Sequence, residues 1–190
     1  MRIISGIFRG RVLKTAEGPG YRPAMSRVRE SLFSMLESRG VIWNQCTVLD
    51  LFAGTGSLAF EAVSRGAIAI THVESAPKAA ACLRESATML GLDEGRCRIV
   101  AEEVAKVLSK GPHHPFDVVF IDPPYGKKLL EPTLRQLLRK AWVKVDGIVS
   151  AEVEARAVFD AEHIHAELEL LADRVFGQTR IVVWKKLPIE

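Results

Sequence analysis

The segment from Thr47 to Val63 constrains the fold of this 190-residue chain more than any other. The apolar run Thr47–Phe52 is followed at once by the glycine-rich stretch Ala53–Ser57, and apolar residues then recur at helical spacing. This order predicts a buried strand, a tight turn and a helix. The two glycines permit the turn and let backbone N–H groups approach a ligand closely at the start of the helix.

The residues of this turn narrow the class of ligand. A phosphate-binding P-loop needs Gly-Lys-Ser/Thr after the turn, whereas this chain has Gly56-Ser57-Leu58, so that class is excluded. A dinucleotide fold stays open, because Gly54-x-Gly56-x-x-Ala59 fits its loose pattern. Asp50, just before the turn, favours S-adenosylmethionine (SAM), since a negative charge there attracts the ligand's ammonium group and repels a pyrophosphate.

A second strand is predicted at Ala69–Val73, and it ends at Glu74, 24 residues after Asp50. In dinucleotide-binding folds, an acid at this place accepts hydrogen bonds from the hydroxyls of an adenosine ribose. Glu74 is therefore a candidate for ribose binding. The alternative is an ordinary solvated carboxylate at the end of a strand.

The tetrapeptide Asp122-Pro123-Pro124-Tyr125 follows a third apolar run, Phe116–Ile121, which is predicted to be a buried strand. A carboxylate at the carboxyl end of such a strand is suited to holding a planar amine. The Asp122 oxygen and the Pro123 carbonyl can accept both N–H bonds of an amino group, while the Tyr125 ring stacks on the flat system that carries it. The alternative is a proline-rich turn in which the aspartate only forms the turn.

Strand and helix patterns alternate along the chain, which predicts a mostly parallel sheet with helices on both faces. The N-terminal segments around Gly6 and Gly10 suggest a hairpin, and Ser26 is a candidate cap for the first helix. The last two strands are predicted to form an antiparallel hairpin. Strands are expected near 47–52, 69–74, 97–100, 116–121, 147–153, 168–175 and 179–185, and helices near 57–65, 77–90, 103–109 and 130–141.

In this layout four residues fall just after the carboxyl ends of the first four strands, where open α/β sheets bind ligands. These residues are Gly54, Glu74, Glu103 and Asp122. Their convergence from four separate segments favours a binding site over a set of unrelated turns.

Length and charge bound the class of protein. The chain is long enough for one domain with a substantial core, and no large target-recognition domain is expected within its 190 residues. Its first 45 residues hold eight Lys or Arg and three Glu, which suits a phosphate-backbone ligand, although an ordinary solvated surface is the alternative.

Three cysteines without Cys-x-x-Cys spacing indicate neither a disulfide nor a metal site. No apolar run reaches membrane-spanning length, and no signal-peptide pattern opens the chain, so a cytoplasmic protein is expected.

Taken together, Asp50-Leu-Phe-Ala-Gly-Thr-Gly56, Glu74 and Asp122-Pro-Pro-Tyr125 resemble a class I SAM-dependent methyltransferase that acts on an exocyclic amine. The chain is more narrowly similar to the RsmD-like family, which methylates the N2 amino group of a guanine in bacterial small-subunit (16S) ribosomal RNA. The stretches that carry this resemblance are Arg22–Phe33, Leu58–Gly66 and Phe176–Thr179. It extends from Arg2 to about Lys185.

The resemblance implies an α/β fold, namely a seven-stranded class I methyltransferase (Rossmann-like) sheet with a small N-terminal hairpin–helix extension. Residues 1–190 are expected to form a single domain, with a basic extension at 1–45 and a SAM-binding catalytic core at 46–190. The resemblance implies catalytic roles for Asp122, Pro123 and Tyr125. The residues expected to contact SAM are Asp50, Phe52, Ala53, Gly54, Gly56, Glu74, Ser75, Glu103, Val104 and Asp122, and those expected to contact RNA are Arg22, Arg27, Arg29, Lys127 and Lys128.

The predicted function is SAM-dependent methylation of guanine N2 in 16S ribosomal RNA, with ribosomal RNA or a small-subunit assembly intermediate as partner and a monomer as the default state. Three rivals stay open at this point. A DNA adenine-N6 methyltransferase shares Asp-Pro-Pro-Tyr but normally carries a recognition domain. A protein glutamine methyltransferase usually has Asn at the position of Asp122. A non-enzymatic RNA-binding module would show the basic arm without the SAM residues.

Overall fold

The computed structural model describes residues 1–16 and 23–188, the side chains of residues 23–25 excepted. Within this part of the chain, helices and strands alternate, and a short 3-10 helix at Trp43–Gln45 precedes the first strand. The helices are α1 (Pro23–Ser38), α2 (Ser57–Ser64), α3 (Pro77–Met89), α4 (Val104–Lys110) and α5 (Leu130–Arg139). The strands are β1 (Thr47–Leu51), β2 (Ala69–Val73), β3 (Cys97–Val100), β4 (Phe116–Ile121), β5 (Val143–Glu154), β6 (Leu168–Phe176) and β7 (Thr179–Lys186).

The seven strands form one mixed sheet in the order β3-β2-β1-β4-β5-β7-β6. Strand β2 is parallel to β1 and β3, and β4 is parallel to β5. Strand β7 lies antiparallel between β5 and β6. The predicted seven-stranded α/β sheet and its antiparallel C-terminal hairpin are therefore confirmed.

The chain divides into two compact units, Met1–Glu102 and Glu103–Glu190. The first unit contains α1–α3 and β1–β3, and the second contains α4, α5 and β4–β7. The assignment of residues 1–190 to a single domain stays a prediction. None of the helices in the described ranges is both long and apolar enough to cross a membrane.

The core of the first unit is built from apolar strands and an unusually apolar helix. The β1 residues Val48, Leu49 and Leu51 are fully buried, and so are Phe60 and Val63 of α2. Strands that are buried on both faces need continuous apolar runs, which explains why β1 shows little polar alternation. Burial of these side chains in one core fixes β1 and α2 on either side of the glycine turn that connects them.

The N-terminal segment is attached to α2 through a buried carboxylate. Glu61 has no exposed surface, and its two oxygens accept the backbone N–H groups of Ile4 (2.7 Å) and Ser5 (2.9 Å). The Arg65 side chain donates to the same carboxylate (3.0 Å). The predicted N-terminal hairpin is present as an antiparallel pairing with a single isolated bridge between Arg2 and Val12.

Replacing Glu61 with Ala is expected to lower the free energy of unfolding by about 2–5 kcal/mol, because two partly buried backbone donors lose their acceptor and Arg65 loses its partner. Glu85→Ala is the matched control. Its carboxylate is largely exposed and makes a 3.8 Å ion pair with Lys14, so its removal is expected to cost at most about 1 kcal/mol. Urea unfolding of both variants measures the difference. Equal midpoints would show that the Glu61 contacts do not stabilise the first unit.

The second unit is centred on β4, β5 and β7. Val119 and Phe120 of β4 and Trp184 of β7 are fully buried, and the Trp184 indole donates to the Ala161 carbonyl (2.7 Å). Trp142 is also buried and donates to the Leu108 carbonyl (3.1 Å). Both tryptophans therefore fill the core while their N–H groups remain hydrogen-bonded.

Two predicted boundaries are wrong. Helix α1 begins at Pro23, so Ser26 lies inside the helix and does not cap it. A proline fits the first turn of a helix because its missing N–H would have no partner there. Strand β5 begins at Val143 rather than near 147. Its pairing with β4 is irregular between Val143 and Ile148, and Asp146 in this stretch has a left-handed φ of 63°.

Candidate functional site

The turn between β1 and α2 has an unusual backbone. Phe52, Gly54 and Gly56 all have positive φ values, of 61°, 53° and 70°. The turn is held to β2 by a hydrogen bond from the Ala53 N–H to the Val73 carbonyl (3.1 Å). A bend this tight brings backbone N–H groups to the start of α2, as the sequence predicts for a ligand-binding turn.

Gly56 is required by packing as well as by its backbone angle. A Cβ atom at this position would lie 2.5 Å from Leu83 Cδ2, 2.7 Å from His72 Cε1 and 2.8 Å from Phe60 Cε2. All three of these side chains are fully buried. The start of α2 therefore sits directly on the core of the first unit, and only glycine fits there.

Glu74 lies just after β2, beside the glycine turn. Its Oε2 accepts the Gly54 N–H (2.8 Å) and its Oε1 accepts the Ala76 N–H (2.7 Å). These bonds fix the orientation of the carboxylate. Each oxygen still has a lone pair available, so the group can also accept hydrogen bonds from the two hydroxyls of a ribose. The residues of this turn thus fit an adenosine-bearing ligand, and ribose binding by Glu74 stays a prediction.

Asp50 occupies a different environment from the one expected. It is only 2% exposed, and its Oδ2 lies 3.1 Å from Nδ1 of His72, the residue directly opposite it on β2. Burial raises the pKa of Asp50, while the hydrogen bond from His72 opposes that rise. The Asp50 carboxylate therefore makes its hydrogen bond inside the protein, below the glycine turn. Its predicted attraction for the ammonium group of a ligand would act through space, without direct contact at the surface.

The remaining predicted cofactor residues differ in exposure. In the first unit, Ala53 is half-buried and Ser75 is exposed just after Glu74. In the second unit, Glu103 is exposed at the N-terminus of α4, and Val104 is buried in the first turn of that helix. Their roles in cofactor binding stay predictions.

The Asp122–Tyr125 segment begins directly after β4, as the sequence predicts. Asp122 is exposed, Pro123 is buried, and Tyr125 is half exposed. The phenol oxygen of Tyr125 lies 3.3 Å from Thr179 Oγ1 at the start of β7. The buried proline fixes the segment, so that a carboxylate and an aromatic ring are presented at the carboxyl end of the strand.

The Tyr125 phenol stays protonated at neutral pH. Partial burial raises its pKa, and the negative charges of Glu152, Asp122 and Glu154 raise it further. A neutral ring is suited to stacking on a base and to donating a hydrogen bond. The arrangement does not make Tyr125 a base.

The predicted RNA-contacting residues separate into three groups. Arg27, Lys127 and Lys128 are exposed. Arg29 is only 5% exposed, and its guanidinium donates to the Arg2 carbonyl, so the structure gives it a contact inside the protein instead of a free surface position. Arg22 lies outside the described residues.

Sequence reasoning missed several residues that organise the site. His72 carries a signal that could have been used, since a histidine within a short buried strand needs a hydrogen-bond partner, and Asp50 lies opposite it on the neighbouring strand. Glu61 interrupts the apolar face of α2 in the same way. Arg156 and Phe159, which follow β5, carry no such signal because they lie in an irregular segment.

The described part of the chain contains no cluster of three or more His, Cys, Asp or Glu side chains that could hold a metal ion. Burial raises the pKa of the Cys97 thiol to about 12, with a further contribution from the charge of Asp50. That thiol is therefore protonated at neutral pH and is a poor metal ligand or nucleophile.

The strand order, with a glycine turn after β1 and an acid after β2, defines a class I methyltransferase fold, the class whose members use SAM. Comparison with known proteins gives the narrower assignment. The chain belongs to the family described as Conserved hypothetical protein 95, whose model matches residues 1–185.

Named relatives cover most of the chain. It is similar to the Ribosomal RNA small subunit methyltransferase D of Escherichia coli K12, with 33% identity over 187 residues, which are 98% of this chain and 90% of the relative. The protein of the same name from Haemophilus influenzae is 35% identical over 155 residues, covering 81% and 79% of the two chains. The solved structure of the putative methyltransferase yhhF from Escherichia coli superposes with a TM-score of 0.84 at 32% identity, covering 100% of this chain and 99% of that one.

Proposed function

We propose that this protein transfers a methyl group from SAM to the N2 amino group of a guanine in small-subunit (16S) ribosomal RNA. The observation that carries the proposal is the Asp122–Tyr125 segment, which offers an exposed carboxylate, a fixed backbone carbonyl and a half-exposed aromatic ring at the end of β4. The relatives named Ribosomal RNA small subunit methyltransferase D support ribosomal RNA as the substrate.

The cofactor is expected to rest on the glycine turn and Glu74, with further contacts from Ser75, Glu103 and Val104. SAM supplies a methyl group on a sulfonium, which is already an activated electrophile, so the protein's task is to position and activate the nucleophile. Holding two reactants in line can supply roughly 7–11 kcal/mol of barrier reduction.

The nucleophile is a weak one, because the lone pair of guanine N2 is delocalised into the ring. The Asp122 carboxylate and the Pro123 carbonyl would accept the two N–H bonds of this amine, which directs the lone pair out of the ring plane. The same two acceptors stabilise the positive charge that develops on nitrogen during transfer, and the methylated amine then loses one proton to Asp122 or to water. Tyr125 would stack on the base after it leaves its neighbours in the RNA.

Ribosomal RNA as substrate implies work in the cytoplasm, on free RNA or on a small-subunit assembly intermediate. A monomer is the expected state. The function is tested by incubating the protein with labelled SAM and naked 16S RNA, assembled small subunits, DNA or protein. Label recovered as N2-methylguanosine is the expected product. Label in adenine of DNA, or in a glutamine side chain, would replace the proposal with one of the rival activities.

The exposed cations Arg27, Lys127 and Lys128 are expected to contact RNA phosphates. Replacing each with Ala should weaken RNA binding uniformly across sequences and flatten the plot of log affinity against log salt by about 0.7–1 unit. Fluorescence anisotropy at several salt concentrations measures this slope. Arg139→Ala, an exposed residue in the last turn of α5, is the control. Slopes that do not differ from the control would assign these cations to the general solvated surface.

A further inference from the structure

A cavity of about 520 Å³ lies beside Tyr125 in the second unit. Its volume is within the range of roughly 300–1,000 Å³ that is typical of small-ligand sites. The wall is formed by two segments, residues 123–132 after β4 and residues 153–159 at the end of β5 and in the following loop. The second of these segments has no role in the chemistry described above.

Part of the apolar wall is exposed, and it includes aromatic rings. Tyr125 is 50% exposed, Val158 is 98% exposed, and Phe159 is half-buried. Exposed apolar and aromatic side chains that share one concave surface are typical of binding sites rather than of general surface. Aromatic rings of this kind are the usual stacking partners of unpaired bases.

The Phe159 ring is held in place by a fixed cation. The Arg180 guanidinium lies 4.4 Å from the ring centroid, and the same group donates to the Ala157 carbonyl (3.0 Å). Arg180 is itself held by two hydrogen bonds to Asp173, of 2.8 and 2.6 Å. The Arg180 guanidinium keeps the pKa of Asp173 below its usual range, so this pair is charged at neutral pH. Stacking on a ring that is already ordered costs little additional entropy.

Two cations at the same cavity have no competing partner. Lys128 and Arg156 are exposed, and neither makes a hydrogen bond or ion pair within the described ranges 1–16 and 23–188. They are therefore available for phosphate oxygens. Glu131 and Glu154 also line the wall, and their carboxylates can accept hydrogen bonds from a base amino group or a ribose hydroxyl. This mixture suits a nucleotide better than a free phosphate ion.

We propose that the cavity binds the nucleotide adjacent to the methylated guanine in single-stranded RNA. Its base would pack against Phe159, and its phosphate would contact Arg156 and Lys128. The two subsites are continuous because Tyr125 belongs both to the amine-binding segment and to the cavity wall. The inference rests on the proposed function for its choice of RNA.

The test is a binding cycle with modified RNA. The guanine methylated by the wild-type protein is first mapped, and oligonucleotides around it are then made with a single abasic site scanned through every position. Phe159→Leu is expected to weaken binding of the intact oligonucleotide by about 5- to 100-fold, the usual effect of losing one base–aromatic stack. One abasic position beside the target should produce a similar loss in the wild-type protein. Combining the two changes should add little further loss.

Matched variants separate stacking from damage to the loop. Phe159→Tyr keeps the ring and should retain wild-type affinity, whereas Arg156→Ala should reduce affinity and flatten the salt dependence. Arg174→Ala and Val175→Ala remove an exposed cation and an exposed apolar residue from β6, outside the cavity wall, and should leave binding unchanged.

Several outcomes would overturn the inference. Wild-type RNA affinity in the Phe159→Leu variant would do so. The inference would also fail if, at every abasic position, the loss of affinity from the abasic site and the loss from Phe159→Leu multiplied in full when combined. A protein that binds RNA but methylates a base other than guanine would refute the proposed function, and the abasic scan would still decide whether the cavity holds a neighbouring nucleotide. A wild-type protein that neither binds RNA nor methylates assembled small subunits would refute both.

Discussion

Asp122→Ala is expected to lower the rate of methyl transfer by at least about 100-fold, which corresponds to the loss of one preorganised group that stabilises developing charge. Alanine leaves the Pro123 carbonyl in place but removes the carboxylate that would accept the second N–H bond of the amine. Single-turnover kinetics with saturating SAM and RNA measure the chemical step directly. SAM affinity, measured by calorimetry, is expected to be largely kept, although Asp122 is also a predicted cofactor contact.

Two further variants sharpen this result. Asp122→Asn keeps an oxygen acceptor at the same place but loses the charge, so its rate should fall between those of the wild type and Asp122→Ala. Asp160→Ala removes an exposed aspartate from the loop after β5 and should have the wild-type rate. Near-normal turnover in Asp122→Ala would remove this carboxylate from the mechanism, and a large loss of SAM affinity would make it a cofactor ligand instead.

Gly56→Ala is expected to lower the free energy of unfolding by about 2–5 kcal/mol. Its left-handed backbone angle costs about 1–2 kcal/mol for a residue with a side chain. Overpacking of the core adds about 1–3 kcal/mol, because the new methyl group would meet three buried side chains at 2.5–2.8 Å. This is a large share of the stability of an ordinary domain. Urea unfolding gives the stability, and SAM binding to the folded fraction reports the turn geometry.

Gly91→Ala provides the control for the backbone term alone. Gly91 has nearly the same positive φ (69°), but a Cβ there would meet nothing within 4 Å. Its variant should therefore lose only about 1–2 kcal/mol. If both variants lost the same amount, the close packing of the turn on Leu83, His72 and Phe60 would not contribute to stability.

The strands and turns that place the site were predictable because their signals are local. A short apolar run with glycine or proline close to its ends, as at β1 and β4, predicts a buried strand. The acid at the end of β2 and the Asp-Pro-Pro-Tyr segment after β4 lie where the sequence predicts them. These features depend on residues that are neighbours in sequence, so the local sequence is sufficient to predict where each strand ends and which residue follows it.

The features that the sequence did not reveal depend on partners far along the chain. The hydrogen bond between Asp50 and His72 depends on the parallel register of β1 and β2, which brings the two residues opposite each other. The early start of β5 depends on an irregular pairing with β4 around Val118. The cavity wall at 153–159 is formed by an irregular segment, and Phe159 is held there by Arg180 from β7. No periodicity in the local sequence reports such contacts.

The attachment of the first residues to Glu61 has a consequence for synthesis on the ribosome. The N–H groups of Ile4 and Ser5 emerge early, but their acceptor is 57 and 56 residues further along the chain. At a typical translation rate of about 5–20 residues per second, the leading segment waits roughly 3–11 seconds before that acceptor has even been made. The segment around Ile4 and Ser5 therefore cannot make these contacts until α2 has been synthesised, although it precedes α2 in the chain.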